Sequence, residues 1–410
     1  MAESEPAAVY HAPASAGILA SAAEVVRPNT KLIALLSIGH FVVDLNQGSL
    51  PALLPFLKSA HGLSYAAVAT IVLAGNVASS IVQPLFGYFA DKNARRWMLP
   101  ASVLLTGVGF ALLGLAPGYA AMLALVVAMG LGVAAYHPEA YKTATSVAGE
   151  RKATALSWFS LGGNVGIALG PPVITALVTV AGLSGGLGLL APTVIASLLL
   201  LMVLPAFSQS AAPRAAAAAA ERGVNMPGAM ALLILVVTIR SWTTLGFTTF
   251  VPFYYIDTLG ADPRLVGPLL FVFLGAGAVA TVIAGPFADR WGPRAFMQWV
   301  LLAALPFGAL FLLTRGVLAF VMLALFGALL TSSFTVSVVL GQAYLPRNAG
   351  MASGLIVGFA IGAGGLGVTA LGGIADRYGL PVALWISALT PLLAFVATRF
   401  LPAPRVQEVR

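Results

Sequence analysis

His40, Asp44 and Gln47 fall at i, i+4 and i+7 and therefore share one face of any helix that carries them. An imidazole one turn from a carboxylate can relay a proton, fix a neighbour by hydrogen bonding, or offer two ligands to a metal. Metal ligation needs further donors from elsewhere, and acyl transfer needs a nucleophile. The chain has no cysteine, so neither is expected, and no cofactor, metal or enzymatic activity is implied. A second group, His137, Glu139 and Lys142, surrounds Pro138. Proline cannot donate to the carbonyl four residues back, which predicts a kink. Glu139 and Lys142 are three apart and can pair along a helix. Arg240 stands alone, with Thr244 and Phe247 on its face. Its guanidinium stays charged, and its planar fork suits phosphonate, phosphate or carboxylate. The plainer reading is a counter-ion for Asp44 or Glu139. Asn76, Ser80 and Gln83, like Ser157, Ser160 and Asn164, are polar groups at helical spacing, and such groups ordinarily bond one helix to another.

The elements that position these groups must be membrane spans. The chain of 410 residues is 60% hydrophobic and only 8% charged, against roughly 25% charged in a soluble domain. Apolar stretches of roughly 20 residues, the length of a span, follow one another from Lys31 to Phe400. Period-two alternation is absent and the runs are too long for barrel strands, so the spans are helices. Breaks at Gly, Pro, Asn and charge clusters predict twelve: 31–57, 64–90, 96–116, 119–146, 151–181, 186–206, 228–259, 263–288, 294–314, 316–344, 349–374 and 380–402. Residues 1–30 and 403–410 are expected to be cytoplasmic tails. The acidic start and short apolar stretch of the first do not make a signal peptide. Placing both termini inside puts sixteen basic residues in cytoplasmic segments and four (Lys58, Arg264, Arg315 and Arg377) outside, which is a strong positive-inside bias. The net charge of +8 is thus a topology signal, and no nucleic acid is expected as a partner. At this depth each ionisable group costs several kcal/mol unless it is paired or hydrated, which makes it a functional candidate. Asp44 lies about 20 Å into its span, near the midplane.

A repeat divides the chain. Gly87-Tyr-Phe-Ala-Asp91-Lys-Asn-Ala-Arg95-Arg96 matches Gly285-Pro-Phe-Ala-Asp289-Arg290-Trp-Gly-Pro-Arg294, 198 residues later. Two six-helix halves, 31–207 and 228–402, follow, with 208–227 as a cytoplasmic linker. Parallel halves related by an axis along the membrane normal form the major facilitator architecture. The two loops resemble the G-x-x-x-D-[RK]-x-G-[RK]-[RK] signature of the major facilitator superfamily, with Ala94 in place of the usual glycine. Gly166-Ile-Ala-Leu-Gly170-Pro171-Pro172 is similar to the G-x-x-x-G-P element of its antiporters. Two further stretches resemble the fosmidomycin-resistance protein family of bacterial exporters: His40-Phe-Val-Val-Asp44-Leu-Asn-Gln47-Gly48, and Gly130 through His137-Pro138-Glu139.

This resemblance implies proton-driven efflux from the bacterial inner membrane, with the phosphonate fosmidomycin as namesake substrate. The expectation is a monomeric, all-α carrier in the bilayer that binds a small molecule and protons and works by alternating access. Asp44, Glu139 and His40 are the candidates for proton coupling. Arg240, His137, Gln47, Lys142 and Asn164 are the candidates for substrate binding. Gly87, Asp91, Arg95, Arg96, Gly285, Asp289, Arg290 and Arg294 are the candidates for gating. In the superfamily arrangement Asp91 faces the start of the eleventh helix, and Asp289 the start of the fifth. Import of an anionic metabolite through the same site is the competing expectation, and a non-transporting receptor a more distant one.

Overall fold

The computed structural model describes residues 29–92, 95–148, 152–208 and 224–404. Nearly all of the expected N-terminal tail, most of the linker and the last six residues lie outside them. Among the described residues the chain is helical, with no strand. Helix α1, Thr30–His61, starts where the Asn29 side chain accepts from the Leu32 amide and ends at Gly62 in the left-handed region. Ser64 caps α2, Tyr65–Asn76, which continues through a π-helical turn, Val77–Ile81, into α3, Gln83–Lys92. Then come α4, Met98–Ala111, α5, Tyr119–Val147, and α6, Lys152–Ala181. Helix α5 runs unbroken through Pro138. A 3-10 stretch, Gly182–Leu189, leads to α7, Leu190–Met202, and the short α8, Leu204–Ser208.

The second half repeats the plan. Helix α9, Pro227–Phe253, runs into a π-helical turn, Tyr254–Thr258. Next are α10, Val266–Trp291, α11, Pro293–Leu313, and α12, Gly316–Tyr344. Helix α13, Ala349–Gly354, passes through a π-helical turn, Leu355–Ala360, into α14, Ile361–Tyr378, and α15, Leu380–Thr398, follows. Ten of the described stretches are long and apolar enough to cross a membrane, against the twelve expected. Thr30–His61, which carries the polar site residues, is not among the ten. Trp158–Met202 counts once although the 3-10 stretch interrupts it.

Small residues let α1 and α6 approach to backbone contact. A Cβ on Gly48 would lie 2.5 Å from the Ile167 carbonyl oxygen, and one on Gly170 would lie 2.6 Å from that of Leu45. In the second half, α12 packs on α10 and α11, and α9 on α14 and α15. The halves meet along α2 against α14 and α6 against α10. The glycine run at 362–367 suggests a bend there, yet α14 is regular through it and the irregular turn lies earlier, at 355–360. The glycines serve contact instead: Cβ atoms on Gly358 and Gly362 would each lie 3.0 Å from Ser80, beside the π-helical turn of the opposite half.

Candidate functional site: a His–Asp–His cluster

His40 and Asp44, one turn apart on α1, are both buried, with Nε2 and Oδ2 3.3 Å apart. Helix α5 brings His137 to the same point. Its Nε2 lies 3.4 Å from Asp44 Oδ1 and 3.2 Å from His40 Nε2. The opposite ring nitrogens fix the orientation of both imidazoles. His40 Nδ1 is 2.9 Å from the Phe159 carbonyl of α6, and His137 Nδ1 is 2.9 Å from the Val133 carbonyl. A carbonyl only accepts, so each Nδ1 carries a hydrogen and each neutral ring turns an Nε2 lone pair inward. His40 stacks on Phe159 with centroids 4.3 Å apart, and the Tyr136 hydroxyl donates to the Leu36 carbonyl at 2.7 Å, tying α5 to α1. Gly163 of α6 closes the third side, where a Cβ would lie 2.6 Å from Asp44 Oδ2.

Two lone pairs and a carboxylate therefore face one another in a buried volume. Such a set repels itself when empty and is satisfied by a proton shared among its members. The cluster supplies the third donor that metal ligation lacked in the sequence, and its three ligand atoms lie within 4.8 Å of one another. Each imidazole faces its own carboxylate oxygen, Oδ2 for His40 and Oδ1 for His137, and the two Nε2 atoms face each other, an arrangement that can share a proton as well as ligate an ion.

Glu139 sits apart from this cluster. Its carboxylate is fully buried, with Oε1 3.8 Å from Arg96 Nε. Arg96 also donates to the Thr143 hydroxyl and to Ser146 Oγ, the latter at 3.4 Å. Burial lowers the Arg96 guanidinium from its usual value and the Glu139 carboxylate raises it; arginine stays charged in proteins in any case. The two carboxylates expected to carry protons thus have different surroundings. One is held by imidazoles, the other by a permanent cation.

Arg240, 6% exposed on α9, donates to the Leu330 carbonyl at 3.3 Å and approaches Ser241 Oγ at 3.5 Å, and its guanidinium lies 5.4 Å from the Phe334 ring centroid. Its Nε is buried with no hydrogen-bond partner among the described residues. Asp44 and Glu139 pair elsewhere, so the counter-ion expectation gives way to a buried cation held by neutral groups. Of the other expected binding residues, Gln47 and Lys142 are half-buried and Asn164, next to Gly163, is exposed.

At the signature loops, Gly87 lies against α5, a Cβ there being 3.9 Å from Pro138. Arg95 and Arg290 are exposed, and Arg294 donates to the Arg399 carbonyl at 3.2 Å. The side chains of Asp91 and Asp289, and the surroundings of Gly285, lie outside what the structure describes, as do residue 151 and the side chains of 349–350 at the starts of the facing helices. Sequence reasoning passed over the opposite end of the bundle. There Asp257 accepts from Lys58 at 3.2 Å and from the Tyr65 hydroxyl at 2.8 Å, while Asp376 accepts from the Tyr65 and Ala66 amides. Of the four basic residues expected on that side, Lys58 thus has a specific acidic partner.

Residues 36–365 match the family model of the Major Facilitator Superfamily. The chain is 33% identical over 388 residues to the uncharacterized MFS-type transporter YfnC of Bacillus subtilis, covering 91% of this chain and 94% of that one. It is 32% identical over 402 residues to the fosmidomycin resistance protein of Escherichia coli, covering 96% and 98%. Among solved structures, a bacterial homolog of the human lysosomal transporter Spinster, in an inward-facing and occupied conformation, superimposes with a TM-score of 0.72 at 16% identity, covering 91% of this chain and 96% of that one. A D-xylose–proton symporter gives 0.71 at 14% identity, covering 92% and 98%.

Proposed function

The chain belongs to the Major Facilitator Superfamily, and from that premise we propose that it is a proton-coupled exporter of a small, phosphonate-type anion. The observation that carries this reading is the meeting of two imidazole Nε2 atoms and one carboxylate at 3.2–3.4 Å inside the membrane region. Empty, the cluster holds a net charge of about −1; with one shared proton it is neutral. Emptying it in a buried site is costly, so it exchanges its proton when the site opens to water on one side or the other. Arg240 is the anion's partner, because a buried guanidinium with an unused Nε is best satisfied by a bidentate oxyanion. Gln47, Lys142 and Asn164 complete the substrate contacts. Glu139 with Arg96 braces the first signature loop against α5, and the loops, through Asp91 and Asp289, gate the end that bears the termini. The positive-inside bias puts that end in the cytoplasm, and the carrier works as a monomer in the inner membrane.

Outward direction is supported by the name of the Escherichia coli relative and by the antiporter-like element Gly166–Pro172. One observation favours the reverse. Protonating the cluster makes the membrane interior more positive, which strengthens an anion's hold on Arg240 and favours moving both together. Everted vesicles separate the two. Export by exchange predicts that a phosphonate accumulates in energised everted vesicles and leaves on addition of a protonophore. Accumulation only in right-side-out vesicles establishes the importer, and gradient-independent equilibration in both removes proton coupling.

A further inference from the structure

We infer that Asp376 closes the end of the bundle opposite the termini, as part of a third copy of the signature loop. Gly372-Gly-Ile-Ala375-Asp376-Arg377-Tyr378-Gly379 repeats Gly285-Pro-Phe-Ala288-Asp289-Arg290-Trp291-Gly292 at the glycine, alanine, aspartate, arginine, aromatic and final glycine positions. The backbones agree as well. Gly292 has φ 82° and ψ 142°, and Gly379 has φ 88° and ψ 159°, a region that only glycine enters without strain. Each is followed by a helix with proline in its first two positions.

In this third copy the aspartate's partners are on view. Asp376 Oδ1 accepts from the Tyr65 amide at 2.7 Å and Oδ2 from the Ala66 amide at 2.9 Å. These are the first two amides of α2, which have no partner within their own helix. The cap residue Ser64 reaches only the third, that of Ala67, at 3.1 Å. A carboxylate of the second half thus completes the cap of a helix in the first. Gly372, one turn earlier, makes the approach possible, since a Cβ there would lie 2.8 Å from Ala69 Cβ and 2.9 Å from the Tyr65 carbonyl oxygen. Beside it Asp257 of the second half holds Lys58 and the Tyr65 hydroxyl of the first. The contacts of Asp376, Gly372 and Asp257 all cross between halves, and those of Asp376 and Gly372 are lost when α2 separates from α14. Asp376 is exposed, so its hold is screened and reversible. That suits a gate better than a permanent weld.

The inference rests on the alternating-access reading above, so its test uses neither substrate nor gradient. In the cysteine-free chain, Leu73→Cys places a single thiol on α2 facing Gly365 of α14, where Leu73 Cδ1 would lie 2.9 Å from a Cβ. Labelling by a bulky, membrane-impermeant maleimide in lipid nanodiscs reads opening of that seam. Asp376→Ala is expected to raise the labelling rate about fivefold, the typical effect of one lost cap on a two-state equilibrium. Gly372→Val, which leaves the carboxylate in place but wedges the seam, should do the same. Asp376→Asn keeps one acceptor oxygen and should fall between, and it carries the test if the alanine variant does not fold. Unchanged labelling in Asp376→Asn and Gly372→Val overturns the gate. So does an equal rise at Val103→Cys, buried in α4, because general loosening would then explain the result.

Discussion

A single methyl group at position 163 tests the cluster without altering any ionisable group. In Gly163→Ala the new Cβ would sit 2.6 Å from Asp44 Oδ2 and closer still to His40 Nε2, with His40 Cε1 also at 2.6 Å. Contacts this short require something to move. The imidazole cannot yield freely, because its Nδ1 is tied to the Phe159 carbonyl and its ring is stacked on Phe159. The backbone cannot yield either, because α1 and α6 already touch at Gly48 and Gly170. Replacing glycine by alanine inside a helix gains about 0.5–1 kcal/mol, while overpacking a tight core costs about 1–3 kcal/mol, so displacement wins. A shift of about 1 Å stretches the 3.3 Å contact between His40 and Asp44 beyond hydrogen-bonding reach. The expected phenotype is loss of uphill transport with phosphonate binding to Arg240 retained. Gradient-driven accumulation and equilibrium binding by the same purified variant give the two readouts. Full uphill transport by a stably folded Gly163→Ala protein refutes the shared-proton cluster, whatever Asp44 variants do.

Three shorter predictions accompany it. Asp44→Asn should abolish accumulation against a gradient while leaving exchange down a substrate gradient measurable. Glu139→Gln should instead lower stability, by up to about 3–5 kcal/mol if the buried Arg96 charge is left wholly uncompensated; a melting curve in detergent that matches wild type removes the bracing role. Arg240→Gln should weaken phosphonate binding at least tenfold by calorimetry while sparing neutral compounds, and Arg240→Lys should recover only part, since an ammonium cannot form the two-pronged contact.

Much of the fold was legible because its signals are local. Apolar run length marked the spans, and a repeated loop marked the halves. His40 and Asp44 could be put on one face because four residues make one helical turn. That His137 joins them was not legible, because its approach depends on how α5 packs across α1, set by contacts such as Tyr136 with the Leu36 carbonyl. The pairing of Glu139 with Arg96 was hidden for the same reason, as it spans 43 positions. Asp376 had a sequence signal, the third loop copy, but it lies at the opposite end of the bundle from the loops at 87–96 and 285–294.

Asn76, Ser80 and Gln83 look like one polar face only if the helix between them is regular. The π-helical turn Val77–Ile81 takes in one residue more than an α-helical turn, so everything after it is rotated by about 100° from the register a continuous α-helix would have. Gln83 therefore does not share the phase of Asn76. The direction in which Gly87 points, towards Pro138 of α5, is likewise set by that extra residue. Deleting one residue between Asn76 and Val82 would do what no substitution can. It would turn the whole segment Gln83–Lys92, signature glycine and aspartate included, towards a different neighbour while leaving every one of its side chains chemically intact.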